Sequence, residues 1–172
     1  VELVDDTMID LAQKIDIFKP TVDAVVKGNP KSLLLVEFAE ENMDENHRRL
    51  KKLHQLMGDL GYSWNQGMRN GGIVDVIDSN LQSKVSEMRK SGLNIMMSMK
   101  NDAKPVSFIE DCAVELKDLA EYTDGLNKIF DKYNVKGTWY AHASVGCLHV
   151  RPVLNMKIQD DVDKMRNIAN ET

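Results

Sequence analysis

The stretch Tyr140 to Pro152, YAHASVGCLHVRP, decides how this chain is read, because it carries the pattern of a β-hairpin with a glycine near its middle. Alternation places Trp139, Ala141, Ala143, Leu148 and Val150 on one face and Tyr140, His142, His149 and Arg151 on the other. The first set reads as core and the second as a site. A two-residue turn at Val145-Gly146 would pair 143 with 148, 142 with 149, 141 with 150 and 140 with 151. Directly opposed residues have Cβ atoms roughly 4.5–5.5 Å apart, close enough for two imidazoles to share one metal ion or one anion. Two histidines packed on a half-exposed sheet are the alternative, since polar residues on one strand face are ordinary.

The 172 residues suffice for one domain with a core of its own. A content of 42% hydrophobic and 28% charged residues is that of a globular protein. The net charge of −5 and pI near 5.4 argue against a nucleic-acid surface, which needs clustered Lys and Arg. The longest aliphatic run, Leu33 to Val36, is far too short for a membrane span, and the N-terminus shows no signal pattern, so a cytoplasmic location is expected. Cys112 and Cys147 are too few for a disulfide framework and are expected as reduced thiols. The start at Val1 and the end in a helical pattern at Thr172 suggest an excised piece.

Helical spacing behind Asp5-Asp6 predicts a helix ended by Phe18-Lys19-Pro20, then a short helix over 21–26. Ser32 to Phe38 reads as a buried strand. Asp44 caps a predicted helix with the stripe Leu50, Leu53, Met57 and Leu60, and Tyr62 to Gly72 reads as loop. Ile77, Leu81, Val85 and Met88 mark a helix ending at Ser91-Gly92 with Arg89 and Lys90 in its last turn. Val106 to Val114 reads as a strand, Leu116 to Tyr133 as the longest amphipathic helix, and Asp160-Asp161 as the start of a last helix. Isolated strands between helices, plus one hairpin, predict an α+β, ferredoxin-like layer: a mainly antiparallel sheet with helices on one face. The other face would be free for a ligand.

Other candidates are weaker. His47 and His54 lie seven residues apart, about 10 Å along a helix, too far to share a metal. Cys147 shares a strand face with His149, but no third group orients a thiol nucleophile. Met96, Met97 and Met99 read as core filling beside Leu93 and Ile95, and Glu110-Asp111 as a solvated pair. No phosphate-loop or dinucleotide fingerprint is present.

With these elements placed, the chain resembles the C-terminal, substrate-side domain of the FAD-linked oxidases of the D-lactate dehydrogenase and glycolate oxidase type. The likeness is carried by KSLLLVEF at 31–38, VSEMRKSGL at 85–93, VSFIEDCAVELKDLAEY at 106–122 and YAHASVGCLHVRPVLNMK at 140–157. It is nearest to the large members joined to an iron–sulfur ferredoxin module. The resemblance implies one domain over 1–172, a fragment of a cap that closes over the flavin, with the FAD-binding domain absent from the chain.

By that resemblance His142 and His149 match the two histidines of the family's HxGDGNxH motif, expected as catalytic residues and as ligands of a divalent metal such as Zn²⁺. Arg89 falls where the family clamps the substrate carboxylate, and Cys147 stands at the motif's substrate-contacting asparagine. The implied parent is a flavoprotein oxidoreductase passing hydride from a small 2-hydroxy acid to FAD. Iron–sulfur clusters would sit elsewhere in it, and the fragment alone would be inert. The family's third metal ligand, a glutamate in an SGEHG-like segment, would lie past Thr172. Ser144-Val145-Gly146-Cys147 departs from GDGN, which bears on substrate identity and metal use. The non-enzymatic alternative is a ferredoxin-like ligand-binding or oligomerisation module, a homodimer included.

Overall fold

The computed structural model describes residues 1–64 and 71–172. Strands β1 (Glu2–Asp5), β2 (Ser32–Leu35), β3 (Lys104–Pro105), β4 (Ile109–Ala113), β5 (Gly137–His142) and β6 (Cys147–Leu154) form one sheet, antiparallel at every pairing. Its order is β2-β1-β5-β6-β3, with β4 also paired to β6. The helices are α1 (Asp6–Ala12), α2 (Lys19–Val25), α3 (Met43–Asp59), α4 (Ser79–Lys90), α5 (Gly92–Met97), α6 (Leu119–Lys132) and α7 (Gln159–Glu171). The architecture is mixed α+β, as the sequence predicts.

The hairpin keeps the predicted faces but not the predicted register. Ala141, Leu148 and Val150 are 1, 5 and 0% exposed and pack with Leu126 and Phe130 of α6, Ile168 of α7 and Ile109 of β4. Burying Leu148 and Val150 contributes about 1.5–3 kcal/mol each by taking them out of water. The turn, however, is not Val145-Gly146 alone. A tight two-residue turn demands positive φ at glycine-like positions, and Val145 is β-branched. The chain makes a longer connection instead: a 3₁₀ turn over Ala143–Val145, then Gly146 at φ +69.

Tyr140 therefore opposes His149, and His142 opposes Cys147. The slip is two residues, so every side chain stays on its predicted face. Gly146 is further required by space. A Cβ there would lie 2.1 Å from the Val114 carbonyl oxygen, and the Val114 N–H donates to the Gly146 carbonyl at 3.0 Å.

The sheet is covered on both faces, which corrects the one-sided layer. Val4, beside Leu33 and Tyr140, is buried on the side opposite Leu148, against Met8 and Ala12 of α1, Val22 of α2, Met88 of α4 and Ile95 of α5. The coverage arises because β1 and β2 extend the sheet past the hairpin. Strand β1 escapes sequence reading: four residues are too short to show a period. Asp5 closes it and caps α1, accepting from the Met8 N–H at 2.9 Å and the Trp139 N–H at 2.9 Å.

Smaller corrections have similarly local causes. Helix α1 stops at Ala12 and Pro20 opens α2 rather than ending a longer helix, as its fixed φ favours. Strand β2 ends at Leu35, before the acidic segment. Asn42, not Asp44, caps α3, accepting from the Asp44 N–H at 2.9 Å. No residue of α3 is buried, so its stripe is not core, and Leu60 is exposed. A further helix, α5, follows Ser91; it buries Ile95 and Met96 and leaves Leu93 and Met97 exposed. Of the strand predicted over 106–114 only β4 (Ile109–Ala113) forms, with β3 lying just before the predicted start, and Leu116 is exposed ahead of α6. Most of the loop read at 62–72 lies outside the described residues.

Candidate functional site

On the face opposite Leu148, alternation along β1, β5 and β6 brings Glu2, Tyr140, His142, Cys147, His149 and Arg151 together. The rings of His142 and His149 lie 5.0 Å apart at 84°, a diagonal pair rather than a directly opposed one. Tyr140 stands 5.6 Å from the first and 5.7 Å from the second. His142 is 40% and His149 18% exposed in its side chain.

Glu2 organises the β1 side. Its Oε2 accepts from the Tyr140 hydroxyl at 2.9 Å and sits 2.8 Å from His142 Nδ1, while Oε1 accepts from Arg89 Nη2 at 2.8 Å. Burial works to raise the Glu2 pKa, yet the Tyr140 hydrogen bond, the Arg89 charge and His142 together hold it below the ordinary carboxylate value. An ionised carboxylate only accepts, so a neutral His142 must carry its proton on Nδ1 and present the Nε2 lone pair. Burial, then the Glu2 contact, pushes the Tyr140 phenol up, keeping it a donor.

The β6 side depends on an irregularity in β4. Ile109 pairs with Val150 and Cys112 with Leu148, so Glu110 and Asp111 both face the single residue His149. This is a β-bulge, and Asp111 takes φ +58 within it. The bulge turns two carboxylates toward the site: Glu110 pairs with Arg151, and Asp111 Oδ1 stands 3.1 Å from His149 Nδ1. Arg151 Nε also donates to Ser107 Oγ at 2.9 Å. The acidic pair predicted as merely solvated is thus half engaged, Asp111 remaining 81% exposed.

Of the residues predicted from sequence, Arg89, His142, Cys147 and His149 all reach this region, Arg89 through Glu2. Glu2 and the bulged Asp111 are the residues that sequence reading missed. Neither left a signal: ELVD is too short to show a period, and a bulge has none. A cavity of ≈ 300 Å³ lined by Asp5, Lys31, Phe130, Gly137 and Trp139 lies elsewhere and holds none of them. On the histidine-bearing face His142 remains accessible at 40% exposure, while His149 and Arg151 are largely covered.

The donor chemistry fits a borderline divalent ion. Ligand atoms of Asp111, Cys147 and His149 lie within 4.8 Å of one another, the one such group of three among the described residues. His149 belongs to it; His142, bonded to Glu2, stands beside it. No helix among the described residues is long and apolar enough to cross a membrane.

The chain is 30% identical over 177 residues to a D-2-hydroxyglutarate dehydrogenase of Haemophilus influenzae, covering 99% of this chain and 17% of that protein. Proteins of the same description from Pantoea ananatis (28% over 175 residues) and Escherichia coli (26% over 175 residues) match over the same shares. The chain thus spans about one sixth of the length of these relatives. The family model described as FAD linked oxidases, C-terminal domain, matches residues 1–172, and the chain belongs to that family.

Proposed function

We propose that this chain is the substrate-side module of an FAD-dependent D-2-hydroxy-acid dehydrogenase, its relatives pointing to 2-hydroxyglutarate or a similar acid as substrate. The observation that carries the reading is the His142–His149 pair on the sheet face that bears Glu2, in a chain matched throughout by the oxidase family. In this reading residues 1–172 are a single domain with ferredoxin-like strand and helix exchange around β4, α6, β5 and β6. The parent is cytoplasmic, and its flavin sits on another domain facing His142 and His149.

The chemistry assigned to this chain is deprotonation and orientation. FAD, when bound, supplies the acceptor for the hydride leaving the hydroxyl-bearing carbon. His142 Nε2 takes the hydroxyl proton as the C–O bond becomes C=O, and the Glu2 carboxylate on Nδ1 stabilises the imidazolium that results. Arg89 and Cys147 contact the substrate, the guanidinium matching a carboxylate. Arg89 Nε is buried without a partner, an unmet donor that a bound carboxylate would satisfy after a small shift. A divalent ion such as Zn²⁺, held from the His149 side, would lower the pKa of a bound hydroxyl.

The test is anaerobic mixing of the full-length parent with D- and L-2-hydroxyglutarate, following flavin absorbance. Bleaching by the D-acid and not by the L-acid is expected. Failure of every 2-hydroxy acid to reduce the flavin would overturn the reading.

A further inference from the structure

We propose that Arg151 is the receptor for a second carboxylate, so that the site takes a 2-hydroxy diacid in preference to a monoacid of the same length. This deepens the hydroxy-acid reading above and rests on it.

A monoacid needs one guanidinium, and Arg89 supplies it from the Glu2 side of the histidine pair. A second arginine stands on the other side. Alternation along β6 puts Arg151 two residues beyond His149 on the same face, so the two side chains leave the sheet roughly 6–7 Å apart. The β4 bulge links their far ends as well: of its two consecutive carboxylates, Asp111 meets His149 and Glu110 meets Arg151. The order across the face is therefore Arg89 with Glu2, the two imidazoles, then Arg151.

The Arg151 side chain is only 13% exposed, so its charge is largely withdrawn from bulk water. There a hydrogen bond to a carboxylate gains strength, and an unpaired charge is costly. Glu110 removes that cost by pairing with Nη2, and Nε donates to Ser107 Oγ at 2.9 Å, which fixes the plane of the guanidinium. These contacts occupy Nε and Nη2. Nη1 has no partner among the described residues. Pinning the bulge to β6 asks only for a point charge such as a lysine carries, whereas the arginine fork leaves donors over for a planar anion.

The spacing suits a five-carbon diacid. In its extended form the hydroxyl-bearing carbon lies three C–C bonds, roughly 4 Å, from the distal carboxyl carbon. With the hydroxyl at His142 and the first carboxylate toward Arg89, the remainder of the chain runs past His149 toward Arg151. A monoacid of equal length sets a methyl group against the guanidinium and leaves its donors unmet, which is how a polar site rejects an analogue lacking the polar group.

The full-length parent is assayed by anaerobic flavin reduction with D-2-hydroxyglutarate and with D-2-hydroxyvalerate, which keeps the five carbons and carries a methyl in place of the distal carboxylate. The readout is the ratio of kcat/KM for the diacid to that for the monoacid. Arg151→Gln should lower this ratio roughly 10- to 100-fold, chiefly through a higher KM for the diacid, and Arg151→Lys should restore part of it. A purely structural arginine would depress both acids alike; an unchanged ratio in Arg151→Gln, or a wild-type ratio near one, would overturn the proposal. Circular dichroism checks that each variant folds. Should Arg151→Gln not fold, Ser107→Ala decides, because it frees Nε without removing the charge: a smaller fall in the ratio is expected, and no fall would overturn the proposal. Flavin reduced by neither acid in the wild type would instead sink the hydroxy-acid reading, and this inference with it.

Discussion

The two faces of the β5–β6 hairpin are built from the same stretch of chain, Gly137–Leu154, and differ in almost every physical respect. On one, Ala141, Leu148 and Val150 are sealed beneath α6 and α7. On the other, Tyr140, His142, Cys147 and His149 meet carboxylates delivered from β1 and β4. Residues adjacent in sequence thus serve separate ends, alternate residues of each strand holding the fold and those between them forming the site. The comparison teaches that perturbations of the two faces should be separable.

The largest effect is expected on the sealed face. Leu148→Ala removes a side chain packed against α6 and α7 and should cost about 2–5 kcal/mol. Thermal denaturation would show this as a midpoint lowered by on the order of 10 °C for a chain of this size. A midpoint unchanged by the substitution would show that the faces are not energetically distinct.

Gly146→Ala acts on both faces at once, because the turn sets the register. The φ of +69 and the Val114 carbonyl 2.1 Å from a new Cβ predict a loss of about 1–3 kcal/mol by chemical denaturation. It should also loosen the end of β4, detectable as faster amide exchange at Val114, whose N–H donates to Gly146.

Glu2→Gln should sharpen the contrast. It keeps the shape but removes the charge that fixes the His142 tautomer. The parent enzyme should lose roughly 10- to 100-fold in kcat/KM, as disturbed carboxylate–imidazole supports do. Thermal stability should change little.

The smallest effect is a pH dependence. Glu2 is held below its ordinary value of 4.5, so its ionised form adds stability that is complete above 4.5 and is lost as pH falls through its lower folded value. Its side chain is partly exposed and screened, so the gain is under about 1 kcal/mol. Unfolding free energies of the wild type and Glu2→Gln should differ by that amount at neutral pH and converge in acid.

The sealed face was fully legible, because period-two alternation in YAHASVGCLHVRP needs no partner to be read. The slip of two residues did not disturb it. The histidine pair was legible for the same reason, and Arg89 and Cys147 through the likeness of their segments to the oxidase family. What escaped was everything supplied from a distance. Glu2 reaches His142 across 140 residues from a strand of four, and Asp111 arrives through a bulge that only the pairing of β4 with β6 creates. Helix α5 was missed because a glycine was taken as a stop, although Gly92 instead opens the next helix against Met8; α1, α2 and α4 were read, but not their place on the second sheet face.

The most direct test compares His149→Ala with Leu148→Ala, neighbours on opposite faces, in the full-length parent under anaerobic conditions. Flavin reduction by D-2-hydroxyglutarate should fall by a factor on the order of 10²–10⁴ in His149→Ala at nearly unchanged thermal stability. In Leu148→Ala the folded fraction should retain the rate while the melting midpoint drops. Wild-type flavin reduction in His149→Ala would contradict the assignment of this face to the chemistry.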